Sequence, residues 1–334
     1  GTLDKLETIP GFSTALGAEK LARQVERIGL AFGAQTGEIV PADKRIYALR
    51  DVTSTVRSLP LITSSIISKK VAEGTKALVF DVKCGDGAFM ETEEDAVELA
   101  RWLVRVGARF KLRTAALITS MSQPIGGAVG NWVEVAESLR SLRNEAVPED
   151  VRRLTLDLGG TLLYLASIVE TPDEGVKKLK QLWEEGAGFS RFLEAVEAQG
   201  GDPAPLRDGT ELHPPACRLP VPAPRSGYLR SLRARDIGYA SILLGAGRPR
   251  AEDGIDPAAG ILIHAKVGEA VEEGQPILEL LAKDEKTCRE ALGRVQQAIE
   301  IGDAPPPPEP LIRKVITTAG EHRWEDYSRE GEGG

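Results

Sequence analysis

The amino-acid sequence predicts an α/β protein with a mixed or parallel sheet flanked by helices, followed by a small C-terminal β-rich domain. Short apolar runs alternate with segments of helical periodicity, and the run Ala77–Val82 is continuously apolar. Such a run is typical of a strand that is buried on both faces of a parallel sheet. After about residue 205, short β-like runs alternate with glycine-rich turns, which predicts the second domain.

The first half of the chain contains most of the predicted helices. Residues 17–29 carry apolar residues at helical spacing, and the short apolar run at 30–33 predicts a buried strand. Pro60 begins a helix that runs to Gly74, and Thr92 can cap a helix whose first turn is acidic. Further elements are predicted as a strand at Arg113–Thr119 and as helices at Asn131–Leu142 and Val151–Val169.

The second half of the chain is rich in proline and glycine. A cluster of prolines between residues 214 and 224 predicts a linker, and Pro305–Pro308 indicates a semi-rigid spacer. A helix is predicted at about 284–301. Strands are predicted at Gly227–Leu232, Ala240–Leu244, Gly260–Ala265 and Pro276–Leu281.

Composition and charge exclude several classes of function. The 334 residues are 42% hydrophobic and 28% charged, with a net charge of −8, which argues against a nucleic-acid partner. No apolar run approaches the ~20 residues that a membrane span requires. The three cysteines and three histidines are scattered, which argues against a disulfide framework, a histidine metal site or a Ser-His-Asp triad. A cytoplasmic protein is expected.

The helix that begins at Pro60 carries a candidate ligand-binding stripe. Ile62, Ser65 and Lys69 stand at i, i+3 and i+7, so a hydroxyl and an ammonium share one helix face. Together with Arg50, which precedes the helix, these groups could bind a small planar molecule rich in carbonyl oxygens. A solvated helix face also explains the stripe and is the more ordinary reading of this helix alone, and Arg50 could instead form a local salt bridge with Asp51.

Two further segments have the chemistry of anion or ligand sites. The glycine-rich turn at 84–89 follows a strand and precedes a helix, where α/β sheets bind ligands, although an ordinary turn has the same sequence. It lacks the third glycine of the dinucleotide fingerprint. Thr2 lies at the start of a predicted helix, where its hydroxyl could contact an anion or serve only as an N-cap.

In combination, these motifs closely resemble the thymidine phosphorylase / pyrimidine-nucleoside phosphorylase family. The resemblance covers nearly the whole chain and is strongest up to about residue 145. The matching motifs are Gly-Thr-Leu-Asp-Lys-Leu-Glu (1–7), Ile-Pro-Gly-Phe (9–12), Pro-Ala-Asp-Lys-Arg (41–45), Tyr-Ala-Leu-Arg-Asp-Val-Thr (47–53), Leu-Pro-Leu-Ile-Thr-Ser-Ser-Ile-Ile-Ser-Lys-Lys (59–70), Asp-Val-Lys-Cys-Gly-Asp-Gly-Ala-Phe-Met (81–90) and Gln-Pro-Ile-Gly-Gly-Ala-Val-Gly-Asn (123–131).

The resemblance implies reversible phosphorolysis of pyrimidine nucleosides such as thymidine, uridine and deoxyuridine. The products are the free base and (deoxy)ribose-1-phosphate, inorganic phosphate is the co-substrate, and no organic cofactor is expected. A pentosyltransferase of this kind serves pyrimidine salvage and catabolism. By the same resemblance, Arg50 and Lys69 contact the carbonyl oxygens of the base, and Ser65 bonds its ring amide. Val56, Ile62 and Phe89 pack against the base, and Thr2 binds phosphate.

The resemblance also implies a metal site and a domain organisation. K⁺ or Ca²⁺ would be held by the backbone carbonyls of Ile125 and Ala128 and by the carboxylate of Glu137. The predicted domains are an α/β domain at 1–41 and 74–204, a remnant of a helical domain at 42–73, a linker at 205–225, a hammerhead-like C-terminal domain at 226–303, and a proline-rich spacer and tail at 304–334.

The chain differs from the family pattern at its N-terminal end. Family members carry a preceding region with most of the helical domain, which forms their homodimer interface, and with a Lys-His-Ser-Thr-Gly-Gly phosphate loop. We therefore expect the 334-residue chain to be inactive alone, whereas the full-length protein is expected to form a homodimer.

Three alternatives remain at the level of the sequence. The first is an AMP-phosphorylase-like enzyme that acts on nucleoside monophosphates. The second is a catalytically dead relative that only binds the base. The third is a carrier domain, because the C-terminal β region resembles a biotinyl or lipoyl hammerhead in which Lys266 would be the modified lysine.

Overall fold

The structure is a computed structural model, and it describes residues 1–34, 40–43, 46, 55, 58–145, 147–248, 250 and 253–331. Two of the predicted base-contacting residues, Arg50 and Val56, lie outside the described residues. Within the described residues, no helix is both long enough and apolar enough to cross a bilayer.

Helices and strands alternate along most of the chain. The helices are α1 (Thr2–Leu6), α2 (Ala18–Ile28), α3 (Leu59–Ala72), α4 (Glu93–Arg109), α5 (Trp132–Leu142), α6 (Glu149–Leu165), α7 (Pro172–Glu184), α8 (Ala187–Ala198), α9 (Ala204–Asp208), α10 (Ala234–Leu244), α11 (Glu285–Ala298) and α12 (Trp324–Glu330). The strands are β1 (Ala77–Cys84), β2 (Arg113–Ser120), β3 (Ala128–Gly130), β4 (Cys217–Pro222), β5 (Gly227–Leu232), β6 (Gly260–Ile263), β7 (Ala270–Val271), β8 (Pro276–Ala282), β9 (Ile299–Gly302), β10 (Ile312–Ile316) and β11 (Glu321–His322).

The chain divides into two compact units, each built from several segments. We call the first the β-rich unit; it comprises Gly1–Ala34, Ser122–Val151 and Trp183–Pro308. We call the second the parallel-sheet unit; it comprises Gln35–Met121, Arg152–Leu182 and Glu309–Gly334.

The parallel-sheet unit contains the predicted mixed sheet. Its strand order is β1-β2-β10-β11, with β1 and β2 parallel and β10 antiparallel to β2. The apolar run that predicted β1 pairs residue by residue with β2, from Ala77 opposite Arg113 to Cys84 opposite Ser120. Helix α4 begins after Thr92, whose hydroxyl accepts the Asp95 N–H, and packs its apolar face on these strands. The predicted α/β class is confirmed.

The β-rich unit contains the predicted C-terminal β domain. Two antiparallel sheets have the strand orders β3-β6-β8-β4 and β7-β5-β9. Alternate residues of the strands face a core that α10 and α11 complete, and fully buried residues such as Ile237, Ile261 and Leu280 lie within it. A small β-rich domain at the C-terminal side of the chain is therefore confirmed.

Two local predictions were wrong. Residues 240–244 belong to helix α10, because Ala234, Ile237, Ala240 and Leu244 are buried at helical rather than alternating spacing.

Residues 30–33 form no strand, although their apolar run predicted one. The backbone of Phe32 is satisfied instead by the Gln199 side chain, whose amide accepts the Phe32 N–H and donates to the Phe32 carbonyl, both at 2.8 Å. A side-chain amide thus replaces the ladder that a neighbouring strand would have supplied.

Regular structure also forms in the segments that the sequence assigned to a linker and a tail. Helix α9 and strand β4 lie within 205–225 or at its edge, and β4 pairs with β8 from Cys217 opposite Ala282 onwards. Strand β10 and helix α12 lie within 304–334, and the Tyr327 side chain of α12 is almost fully buried. Apolar side chains at these positions outweigh the local bias of proline and glycine.

Candidate functional site

Helix α3 places Ser65 and Lys69 one turn apart on a common face. Pro60 occupies its first turn, where the missing N–H costs no hydrogen bond, and Lys69 and Lys70 lie in its last turn. The Lys69 Nζ donates to the Ser65 Oγ over 3.1 Å. The Ser65 side chain is buried, whereas 30% of the Lys69 side chain is exposed. The hydroxyl and the ammonium therefore converge, as the spacing predicted.

A carboxylate from before the helix joins this pair. Asp43 Oδ2 lies 3.0 Å from the Lys69 Nζ, and only 9% of the Asp43 side chain is exposed. An ion pair this sheltered is screened little by solvent, and it fixes the direction of the lysine side chain. Asp43 was not among the predicted site residues. The signal that could have identified it is its place in the motif at 41–45, which matches the family. We call Asp43, Ser65 and Lys69 the helix cluster.

The apolar residues predicted to pack on a base lie in different surroundings. Ile62 is half-buried and packs against the core of the parallel-sheet unit. Phe89 is 68% exposed, so its ring is available to a ligand rather than used in the core.

The glycine-rich turn that carries Phe89 is closed by backbone hydrogen bonds. Gly85 N–H donates to the Met90 carbonyl over 3.1 Å, and Gly87 N–H donates to the Met121 carbonyl over 3.0 Å. Gly85 has a φ of +127°, which glycine adopts without steric cost. Cys84 is fully buried, and burial raises the pKa of its thiol, so it has the character of a core residue and not of a nucleophile.

A second polar group in the parallel-sheet unit was not identified from the sequence. Asp81 and Lys83 of β1 point to the same face of the sheet, where Lys83 Nζ lies 2.6 Å from Asp81 Oδ2. The Thr119 hydroxyl of β2 donates to Asp81 Oδ1 over 2.5 Å and accepts from Lys83 over 3.1 Å. The signal was an acid and a base at i and i+2 in an otherwise apolar strand.

In the β-rich unit, Thr2 is exposed and is the first residue of α1. The next turn of chain is anchored by Asp4, whose Oδ1 lies 2.7 Å from Nη2 of Arg248. The hydrogen bond from Arg248 is the largest cause that lowers the pKa of Asp4 to about 2. Lys5 also pairs with Glu134 of α5. The glycine-rich turn that carries Arg248 thus contacts α1, a contact that the sequence did not suggest.

The predicted metal ligands lie in a segment with a different set of partners. Glu137 Oε1 accepts the Gly127 N–H over 2.7 Å, and burial is the largest cause that raises the pKa of Glu137. A Cβ built on Gly126 would lie 2.5 Å from Glu137 Oε2, so the carboxylate rests directly on the backbone. The Glu137 carboxylate is therefore engaged by the chain beside Ile125 and Ala128.

Lys266 supplies the positive charge in this segment. Its Nζ donates to the Pro124 carbonyl over 2.6 Å and to the Gly126 carbonyl over 2.7 Å, and it lies 2.8 Å from Asp150 Oδ2. These carbonyls flank Ile125 and are not the two that were expected to hold a metal ion. A carrier lysine must be presented to solvent, and an ammonium with three short contacts is not.

The described residues also contain no group of three or more His, Cys, Asp or Glu side chains that could hold a metal ion. The helix cluster offers a hydroxyl, an ammonium and a carboxylate. Hydroxyls and ammonium groups bind carbonyl oxygens and anions.

Two sequence models of known families match this chain. Residues 1–189 match the sequence model of the glycosyl transferase family, a/b domain, and residues 228–302 match that of the pyrimidine nucleoside phosphorylase C-terminal domain.

Curated relatives agree over almost the whole chain. A pyrimidine-nucleoside phosphorylase of Bacillus subtilis is 44% identical over 317 residues, which cover 95% of this chain and 72% of the relative. Enzymes of the same name from Staphylococcus haemolyticus and Staphylococcus aureus are 42% and 41% identical, with the same shares covered. The chain belongs to the pyrimidine-nucleoside phosphorylase family.

Proposed function

We propose that this protein catalyses the reversible phosphorolysis of pyrimidine nucleosides and that the helix cluster binds the base. The observation that carries the proposal is the contact of Lys69 with Ser65 and Asp43, which holds an ammonium and a hydroxyl side by side. A pyrimidine presents carbonyl oxygens and a ring amide, and these groups are the natural partners of such a pair. The names and the extent of similarity of the curated relatives support this activity.

The electrostatics of the reaction favour this assignment. Cleavage of the N-glycosidic bond leaves negative charge on the departing base while the sugar becomes positive. A fixed ammonium at a base oxygen is attracted more strongly as that charge grows, so it stabilises the transition state more than the ground state. One charge-assisted hydrogen bond contributes about 1.5–3 kcal/mol. Phosphate is itself the attacking group, so the reaction needs no side-chain nucleophile.

The remaining site residues enter the proposal through the family resemblance. Arg50 would contact a base oxygen, Ser65 would bond the ring amide, and Thr2 would bind phosphate. Val56, Ile62 and Phe89 would pack on the ring, and the exposed Phe89 side chain has the freedom to do so. Thymidine, uridine and deoxyuridine are the proposed substrates, and a homodimer is the proposed assembly. The proposed reaction uses inorganic phosphate as co-substrate and no organic cofactor.

Calorimetry with uracil and thymine tests the base-binding half of the proposal. We expect wild-type chain to bind at least one base, and Lys69→Gln to bind it more weakly. Lys70→Gln is the matched control, because Lys70 lies on the same helix but pairs with Glu73 over 2.8 Å at the surface. Equal affinities of wild type and Lys69→Gln would refute the assignment of Lys69.

Turnover is measured separately, as release of base from thymidine or uridine in the presence and absence of phosphate. Phosphate-dependent release supports the full proposal. Base binding without release by the 334-residue chain supports a base-binding role of this chain alone. Faster release from nucleoside monophosphates than from nucleosides would favour the AMP-phosphorylase-like alternative.

A further inference from the structure

A groove runs along the C-terminal half of helix α4, at the edge of the sheet where β2 begins. Two adjoining cavities of about 740 and 410 Å³ form it, and both are lined by Ala108 and Thr318. The larger cavity lies between the start of β2 and the segment that follows α6, and the smaller lies between α4 and the turn that follows β10. Cavities of about 300–1,000 Å³ are large enough to hold small molecules.

Positive charge lines this groove, although the chain as a whole has a net charge of −8. Five cationic side chains line the two cavities: Arg101, Arg105, Arg109, Lys111 and Arg113. The three arginines of α4 stand at i, i+4 and i+8 and share one helix face. The helix dipole accounts for a cation at Arg109, but Lys111 and Arg113 lie beyond the helix. Among the described residues that line either cavity, Glu170 is the one carboxylate.

Three of the five cations have no partner of opposite charge. Within the part of the chain that the structure describes, the side chains of Arg105, Arg109 and Lys111 form neither a hydrogen bond nor an ion pair. Like charges four residues apart on a helix repel each other, so the pair Arg105 and Arg109 lowers the stability of the folded chain. An anion between them would replace this repulsion with attraction.

The other two cations are held in place. Arg113 donates to the Ser167 hydroxyl through Nη1 and to the Tyr164 carbonyl through Nη2, the latter over 3.2 Å. Both partners are neutral, so the guanidinium keeps its full charge beside the larger cavity. Arg101 differs, because its charge is offset by an ion pair with Glu321. Four cations of the groove therefore carry charge that no described ion pair offsets.

The backbone of Lys111 is unusual for its residue type. Lys111 has a φ of +61°, in the left-handed region that favours glycine, and it lies just beyond the end of α4. Its N–H donates to the Ala108 carbonyl over 2.9 Å. Ser167, which also lines the larger cavity, has a φ of +58°. Glycine would relieve the strain at position 111, so stability does not explain a lysine there.

We propose that this groove binds a small anion that carries two or more phosphate groups, either free or as the phosphate chain of a nucleotide. The four cations donate to the phosphate oxygens, and guanidinium groups suit this role because they form two parallel hydrogen bonds. Arg105 and Arg109 are ~6 Å apart along the helix axis, so a chain of phosphates contacts more of the cations than one phosphate does.

The groove is separate from the proposed base site. It lies where β2 begins, whereas the glycine-rich turn at 84–89 follows the opposite end of β1, the parallel partner of β2. At ~3.3 Å per residue, the eight-residue strands separate the two by roughly 20 Å or more. The proposal therefore does not depend on phosphorolysis.

Calorimetry with tripolyphosphate at low ionic strength is the first test. We expect the wild-type chain to bind it at least about ten-fold more tightly than inorganic phosphate, and more weakly as salt is added. The double variant Arg105→Gln, Arg109→Gln should bind it about 10–100-fold more weakly, at the scale of lost charge-assisted hydrogen bonds.

The control removes the same charge elsewhere in the parallel-sheet unit. Lys177 and Lys178 of α7 are exposed and line neither cavity, so the double variant Lys177→Gln, Lys178→Gln should bind as wild type does. No binding by wild type would overturn the proposal. Equal losses in the two double variants would also overturn it, because the attraction would then depend on net charge and not on the groove.

Lys111→Gly separates binding from folding. This change removes a cation from the groove and strain from the backbone, so the Tm should rise by about 1–4 °C while tripolyphosphate affinity falls about 3–10-fold. An unchanged affinity in this variant would contradict the proposal. ATP, measured in parallel without divalent metal, distinguishes the two sources of phosphate. Affinities equal to those of tripolyphosphate assign the phosphate chain alone, and tighter binding that the arginine double variant loses assigns a nucleotide.

Discussion

Two lysines of this chain stand beside a carboxylate at nearly the same distance, yet their other partners differ. Lys69 lies 3.0 Å from Asp43 and contacts a hydroxyl of its own helix. Lys266 lies 2.8 Å from Asp150 and contacts two backbone carbonyls from a distant segment. A hydroxyl that both donates and accepts can exchange partners with a ligand, whereas carbonyls of a fixed segment cannot. The partners of each lysine, and not its charge, distinguish the proposed binding role of Lys69 from the structural contacts of Lys266.

The comparison makes the segment around Gly126, which Lys266 and Glu137 contact, the region that is most sensitive to an added side chain. Gly126 has a φ of +82°, and an added Cβ would lie 2.5 Å from Glu137 Oε2. Gly126→Ala should therefore lower the free energy of unfolding by about 2–4 kcal/mol, from backbone strain and overlap together. Urea unfolding measures this loss.

The same substitution in a helix, where the added Cβ overlaps no other atom, should stabilise the protein. A Cβ on Gly293 of α11 meets nothing within 4 Å. Gly293→Ala should raise the free energy of unfolding by about 0.5–1 kcal/mol. If Gly126→Ala also raises the free energy of unfolding, the close contact between Gly126 and Glu137 does not limit which side chain fits there.

Asp157 extends the comparison to a carboxylate without a lysine. It is buried in α6, its Oδ2 has no hydrogen-bond partner among the described residues, and Arg153 Nε lies 3.5 Å away. Burial is the largest cause that raises the pKa of Asp157 from 3.8 to about 6. The folded state therefore binds this proton more tightly than the unfolded state, and stability falls as the pH rises from about 4 to about 6.

Asp157→Asn should remove that loss. At pH 7.5 the variant should be more stable than wild type by up to about 3 kcal/mol, and the difference should vanish near pH 4. Unfolding free energies at the two pH values measure it. A variant that is less stable than wild type at pH 7.5 would show that the Arg153 contact outweighs the cost of burial.

The helix cluster should respond in ligand affinity. Lys69→Gln removes the charge but keeps a donor, and we expect base affinity to fall about 10–100-fold, which matches one charge-assisted hydrogen bond of about 1.5–3 kcal/mol. Calorimetry measures the affinity, and circular dichroism checks that α3 remains folded, because Asp43 loses its ion pair. An unchanged affinity in a folded variant would remove Lys69 from the site.

Ser65→Ala should have the smallest effect in this series. Its hydroxyl is neutral, so we expect base affinity to fall about 2–10-fold, at the scale of a neutral hydrogen bond. Ser65→Thr retains the hydroxyl and serves as the control. A loss larger than that of Lys69→Gln would reverse the proposed order of the two groups.

The sequence predicted features that depend on neighbours along the chain. The apolar run of β1, the Thr92 cap and the common face of Ser65 and Lys69 are all set within a few residues. The family resemblance predicted the class of protein, because several long motifs stand in order.

The sequence failed where partners are distant. Lys266 binds carbonyls 142 and 140 residues earlier in the chain, and neither periodicity nor charge pattern carries that information. The apolar run at 30–33 predicted a strand, but a side chain from α8's end supplied its hydrogen bonds. Local pattern therefore predicted the common face of Ser65 and Lys69 but neither the contribution of Asp43 nor the contacts of Lys266.

The amide of Gln199 has a consequence for the ageing of the molecule. Its nitrogen donates to the carbonyls of Ser13 and Phe32, each over 2.8 Å, and its oxygen accepts from Phe32 and from the Gln24 side chain. Spontaneous hydrolysis of this one group would replace the donor by a second acceptor facing two carbonyls. Two attractions would become repulsions inside a site that is only 2% exposed. The residue's seclusion from water is thus also its protection against chemical decay.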